Sequence, residues 1–212
     1  MIIPLVLTVL AIFILLVSNE LWFRGRKVHD EFSRKFVHIT VGSFVAFWPF
    51  FLSWNEIRLL SLAFFLVVCL SKYLHIFRAI HSVQRPTWGE LFFAIAVGGV
   101  TLITNNKWIY LAALLQMSLA DGLAAVVGVQ FGLKRTAYRV FGHTKTLVGS
   151  TTFALISIAI LIGFSYFSHM SLTPLSMAGL ALAATLIENC GVRGLDNLLV
   201  PVVVALGLRL LV

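Results

Sequence analysis

Four groups of residues in this 212-residue chain carry types and spacings that could do chemistry. Glu31, Lys35, His38 and Gly42 recur at intervals of three and four, which sets them along one helix face with Arg34 beside them. Basic side chains at a helix start suit a phosphate-rich ligand. The plainer alternative is a juxtamembrane cluster that touches lipid headgroups. His38 lies further into the apolar run, where a histidine either is packed and hydrogen-bonded or moves a proton. The second group, Asp121, Ala124, Ala125, Gly128 and Gly132, is a stripe of small residues at helical spacing, so a neighbouring helix can come close beside a carboxylate. A charge at such depth costs about 2.5–3.5 kcal/mol on insertion scales and marks a functional residue by default. The alternative is a structural aspartate paired to a Lys or Arg of another helix.

The third group spans Leu133 to Ser150: Lys134, Arg135, Arg139 and His143, then KTLVGS from Lys145 to Ser150. Lys145 and Gly149 stand four apart where an apolar run begins, with Thr146, Ser150, Thr151 and Thr152 supplying hydroxyls. Free backbone N–H groups, small residues and a lysine at a helix N-terminus make a phosphate cradle. The run lacks GxxxxGK spacing and no strand is predicted ahead of it, which excludes a Walker A loop. A Ser/Thr-rich start that merely caps a helix is the structural alternative. The fourth group is Glu188 and Asn189, followed by Asp196, Asn197 and Pro201. Ala181, Ala184 and Glu188 share a helix face, whereas Asp196 either binds a ligand or caps the last helix. Asp121, Glu188 and Asp196 with several cations match a magnesium–nucleotide site, because Mg²⁺ takes one or two carboxylates plus phosphate oxygens and water. Zinc is excluded by the absence of HExxH or paired cysteines.

The elements that must position these groups are membrane helices. The chain is 60% hydrophobic and 11% charged, with a mean hydropathy of +1.00. Apolar runs cover residues 2–21, 37–54, 57–75, 88–105, 108–130, 147–168, 174–189 and 197–212. With about 20 residues needed per span, the predicted fold is all-α: a polytopic bundle of about eight spans, with seven the alternative, forming one domain over 1–212 with no soluble domain. No connection is long enough for a Rossmann unit, and Ile2 to Val17 reads as a first span rather than a cleaved leader. Cys69 and Cys190 read as small packing residues.

The net charge of +8 would suggest nucleic acid in a soluble protein; here it sorts by topology. Arg24, Arg26, Lys27, Arg34 and Lys35 follow span 1, and Lys72, Arg78 and Arg85 follow span 3. Lys134, Arg135, Arg139 and Lys145 follow span 5, and Arg193 follows span 7. These are 13 of the 16 bases; Arg58, Lys107 and Arg209 fall on the other side. The positive-inside rule then puts both termini outside and the odd-to-even connections in the cytosol. Seven of the 8 acids share the basic side, Glu20, Asp30, Glu31, Glu90, Asp121, Glu188 and Asp196, with Glu56 opposite. A conduit would distribute polar groups over the whole depth. Their concentration at one face favours an enzyme that takes a polar co-substrate from the cytosol and a lipid from the membrane, over a transporter or flippase.

EFSRKFVHITVG, DGLAAVVGVQFG, KTLVGS and a late Glu followed by DNLLVP occur in the order seen in the phytol kinase and dolichol kinase family. The chain resembles that family from about Glu31 to Pro201, and its central stretch is also similar to phosphatidate cytidylyltransferases. The resemblance implies a membrane kinase using CTP and Mg²⁺ or another divalent cation. The acceptor would be phytol, a prenol or polyprenol, or diacylglycerol. Arg34, Lys35 and His38 match the early motif; Asp121, Gly128 and Gly132 the central one; Lys145, Thr146 and Gly149 the third; Asp196, Asn197 and Pro201 the last. On this reading Asp121, Lys145 and His38 are catalytic. Arg34, Lys35, Lys145, Thr146, Gly149, Gly128 and Gly132 hold the nucleotide. Asp121 holds the metal with Glu188 or Asp196, and Asn197 and Glu90 face the lipid substrate. The enzymatic alternative is a lipid-phosphate cytidylyltransferase.

Overall fold

A computed structural model describes residues 2–24, 30–74 and 88–212. Arg26, Lys27, Arg78 and Arg85 lie outside them, as do the side chains of Arg24, Asp30, Glu31, Lys72 and Lys134. Eight helices follow the apolar runs: α1 (Ile2–Arg24), α2 (Asp30–Ala46), α3 (Trp54–Leu74), α4 (Gly89–Ile103), α5 (Lys107–Phe131), α6 (Leu147–Ser168), α7 (Pro174–Cys190) and α8 (Asp196–Leu211). The apolar run expected to continue to residue 54 instead leaves the helix after Ala46 and makes a single 3₁₀ turn, Trp48–Phe50, around Pro49, because proline cannot donate to the ladder.

Side-chain caps set several helix starts. Asn106 Oδ1 accepts from the N–H groups of Trp108 (2.9 Å) and Ile109 (3.4 Å). Thr173 Oγ1 accepts from Ser176 N–H (3.1 Å), with Pro174 in the first turn where its missing N–H costs nothing. Asp196 does not cap α8. It is the first residue of that helix, and the cap position is Leu195, without a side-chain bond.

Helix α5 is the axis of the bundle. Tyr110, Leu114 and Met117 are fully buried there, and α2, α4, α6 and α8 pack around it. The core joins them to Val45, Ile57, Val97, Phe153, Leu161, Val204 and Leu208. By contrast α1 turns Ile3, Leu7, Phe13 and Leu21 outward, as a lipid-facing helix does. Ile3–Phe23, Lys107–Phe131 and Leu147–Ser168 are long and apolar enough to cross a bilayer, and Gly89–Ile103 and Pro174–Cys190 are shorter apolar helices. The chain is thus a membrane protein of eight described helices, of which three meet the requirement for a span on length and composition. At 1.5 Å per residue α4 reaches only about 22 Å; it is sheltered between α3 and α8 instead.

Two features depart from a plain bundle. A β-hairpin interrupts the all-α pattern, with β1 (Ala137–Val140) antiparallel to β2 (His143–Thr146). A strand therefore does run into KTLVGS, contrary to expectation. The second departure is a π turn, Gln116–Ala120, inside α5. Cys69 is half-buried, but Cys190 is exposed rather than packed.

Candidate active site

Asp121 follows the π turn directly and is 4% exposed. Its charge is met from α2, where Lys35 Nζ donates to Asp121 Oδ2 at 2.6 Å. His38 lies one turn further along α2 with Nε2 3.7 Å from the same oxygen. That nitrogen is 3.0 Å from the Met117 carbonyl, which only accepts, so Nε2 carries the proton. His38 thus braces the turn before Asp121 and cannot take a proton through Nε2. Close approach of the two helices depends on Gly122, where Ile39 occupies the space a side chain would need.

The second half of the site comes from the hairpin. Its Val140↔His143 pairing leaves a two-residue turn, Phe141–Gly142, both in the left-handed region (φ 46° and 82°), which suits the twist of an antiparallel pair. Strand β2 delivers Lys145 and ends at Thr146, whose Oγ1 accepts from Gly149 N–H at 3.1 Å and starts α6. The Gly149 N–H expected to bind phosphate is therefore spent on this cap. Its missing side chain is what the structure uses: a Cβ there would stand 3.1 Å from the Ala124 carbonyl oxygen, and one on Gly128 only 3.0 Å from Thr146 Oγ1 and 3.2 Å from Gly149 Cα. The stripe thus lets the end of α5 meet the start of α6 backbone to backbone.

Lys145 Nζ pairs with the Glu188 carboxylate and donates to the Glu188 carbonyl at 3.2 Å. Burial alone would lower the pKa of Lys145. Glu188, with Asp121 and Asp196 beyond it, outweighs burial and holds the ammonium above the ordinary lysine range.

Both lysine–carboxylate pairs open on one cavity of about 350 Å³. Arg34, Lys35, Asp121, Gly128, Lys145, Thr146, Gly149, Glu188, Asp196 and Asn197 all line it, so α2, α5, the hairpin, α6, α7 and α8 converge there. His38, Gly132 and Glu90 are not among its walls. Asn197 donates through Nδ2 to the Gly89 carbonyl at 3.1 Å and ties α8 to the start of α4. Arg193, considered in the sequence only as a topological charge, also lines the cavity, and its carbonyl accepts from Trp88 N–H at 3.0 Å. The positive φ of Arg193 and Gly194 (55° and 90°) makes the tight turn that brings it there; the Arg-Gly pair before Asp196 was the available signal.

The carboxylates at the cavity differ in what they have left to offer a divalent ion. Among the described residues no three His, Cys, Asp or Glu side chains form a group able to hold a metal, and Asp121 and Glu188 each face a lysine. Asp196 Oδ1, however, is buried without a hydrogen-bond partner, an acceptor at the cavity wall that calls for a cation or donor. Few protein ligands completed by phosphate oxygens and water is the habit of Mg²⁺.

No family model and no solved structure matches the chain. A phytol kinase of Synechocystis sp. is 34% identical over 179 residues, covering 81% of this chain and 75% of that protein. A lipid-facing helical bundle with this relative is a membrane enzyme of the lipid-alcohol kinase class. Within that class, the chain belongs to the phytol kinase and dolichol kinase family.

Proposed function

We propose that the chain transfers the terminal phosphoryl group of CTP, held with Mg²⁺, to the hydroxyl of a membrane alcohol. Phytol, the alcohol in the name of the Synechocystis relative, is the first candidate, ahead of prenols, polyprenols and diacylglycerol. A new bond forms between the alcohol oxygen and phosphorus, the bridging P–O bond breaks, CDP departs, and the hydroxyl proton leaves to a carboxylate or water. One observation carries the reading: two lysines from distant parts of the chain, each with a carboxylate, meet at a single cavity beside a glycine- and threonine-rich helix start.

Phosphoryl transfer asks mainly for positioning and for neutralised charge. Lys145 and Lys35 are assigned to the phosphate oxygens, with Arg34 at the rim and the Thr146 hydroxyl as a donor. Asp121 is assigned to the metal with Glu188 or Asp196. Bound Mg²⁺ would offset the charge that develops on the leaving phosphate. Phosphates arriving with a metal would give each lysine a new anion and each carboxylate a new cation, so that neither member of a buried pair would be left as a lone charge. The alcohol's tail would lie along the apolar flanks of the bundle, with the cavity on the cytosolic side, in keeping with the bias of 13 of the 16 bases.

The test is purified protein in lipid nanodiscs with Mg²⁺, CTP labelled at either the α or the γ phosphorus, and a panel of phytol, geranylgeraniol, short polyprenols and diacylglycerol. The expected product is a lipid phosphate carrying the γ label. Label from the α position in the lipid would mean nucleotidyl transfer, and no labelled lipid from any acceptor would end the kinase reading.

A further inference from the structure

Lys145 sits on a strand of four residues in an isolated two-stranded hairpin, a unit too small to hold its own shape in water. Something must therefore fix the lysine. Its cross-strand partner is Tyr138, and side chains at such paired positions stand on the same face. Tyr138 Oη donates to Asn189 Oδ1 at 2.6 Å, and Ser150 Oγ, from the first turn of α6, donates to the same oxygen at 2.9 Å. The two hydroxyl oxygens are 2.5 Å apart, so three oxygens form a triangle around two hydroxyl protons. Asn189 is itself fixed, its Nδ2 donating to the Thr185 carbonyl at 3.0 Å.

The neighbouring strand residues Tyr138 and Lys145 thus grip two successive residues of α7, Asn189 and Glu188. The grip of the tyrosine is neutral, and Tyr138 and Asn189 lie off the cavity wall although Ser150 is on it, so a ligand that draws Lys145 away from Glu188 does not compete for the bond between Tyr138 and Asn189.

We propose that Tyr138, acting with Asn189 and Ser150, is a positioning latch. It holds the hairpin against α6 and α7 while Lys145 changes partner, and so sets affinity for the nucleotide phosphate. The proposal rests on the assignment of Lys145 to that phosphate. Tyr138 touches no reacting atom; its effect passes through the strand.

Steady-state kinetics on the full chain in nanodiscs test it, with CTP and the best alcohol of the panel varied separately. Tyr138→Phe and Asn189→Ala are each expected to raise the KM for CTP about tenfold and to leave the KM for the alcohol unchanged. The double variant should be no worse than either single one, as for groups acting as one unit. Lys145→Gln serves as the reference. A wild-type KM for CTP in Lys145→Gln would remove the phosphate assignment and the latch with it. A raised KM in Lys145→Gln beside wild-type values in Tyr138→Phe and Asn189→Ala would overturn the latch alone. Equal losses for both substrates, or additive effects in the double variant, would also overturn it, since they indicate general loosening of the fold.

Discussion

Charged side chains at the two ends of the bundle are used in opposite ways. Away from the cavity they cap a helix or bind neutral groups. Glu56 accepts from Ser53 N–H (2.8 Å) and Oγ (2.7 Å) while Ser53 Oγ accepts from Glu56 N–H (3.4 Å), a reciprocal box at the start of α3. Arg58 reaches the hydroxyl and carbonyl of Thr101 at 2.9 and 3.0 Å, Arg209 the Ile103 carbonyl at 2.6 Å, and Lys107 lies 4.9 Å over the Phe50 ring. At the cavity end they bind one another across the bundle, Lys35 with Asp121 and Lys145 with Glu188. Neutral partners leave single charges dispersed over the far end, whereas opposed charges around an open space gather the cost of desolvating charge in one place. Such expense in the interior is characteristic of a functional site.

Four substitutions press on this contrast. Asp121→Asn should lower turnover at least about 100-fold while the protein still inserts, read as labelled lipid phosphate beside thermal stability in detergent. Near-normal turnover would place Asp121 among structural charges like those at the far end. Lys145→Gln comes next, with an expected rise of roughly 10- to 100-fold in the KM for nucleotide, the worth of a charge-assisted hydrogen bond. Gly128→Val should cost about tenfold in kcat/KM, because any Cβ there already meets Thr146 and Gly149 and displacement of the site carries a steep penalty. Glu56→Gln should move nothing but thermal stability, and that only slightly. If Glu56→Gln reduced turnover as much as Lys145→Gln, the division of the molecule into a holding end and a working end would fail.

The apolar runs gave most helix bounds to within a few residues, since a stretch such as Leu147–Ser168 has no other way to satisfy its backbone in lipid. Asp121, Lys145 and Glu188 stood out because each charge interrupts or borders an apolar run. Their pairing was less accessible: that Lys35 answers Asp121 while Lys145 answers Glu188 depends on which helices neighbour one another. The hairpin was missed although Tyr138 and Val140, a Phe-Gly turn, then Thr144 and Thr146 form the alternation such hairpins show; basic residues among them read more readily as a loop. Gly149 draws attention in the sequence for its N–H, whereas the close approach of Ala124 and Gly128 depends on its missing side chain. The cap by Thr146 that uses this N–H was itself foreseeable from the Ser/Thr-rich start.

The π turn at Gln116–Ala120 has a further consequence for this chain, one of phase. A single extra residue advances everything after it by about 100° around the helix axis. The two halves of α5 therefore keep separate faces: Tyr110 and Leu114 are timed to the core, and Asp121, Ala124 and Gly128 to the cavity. Loss of one residue between Gln116 and Ala120 would restore an even spiral and turn the whole second face out of step with Lys35 and Thr146. His38, bonded to Met117 inside that turn, holds the offset where it was introduced.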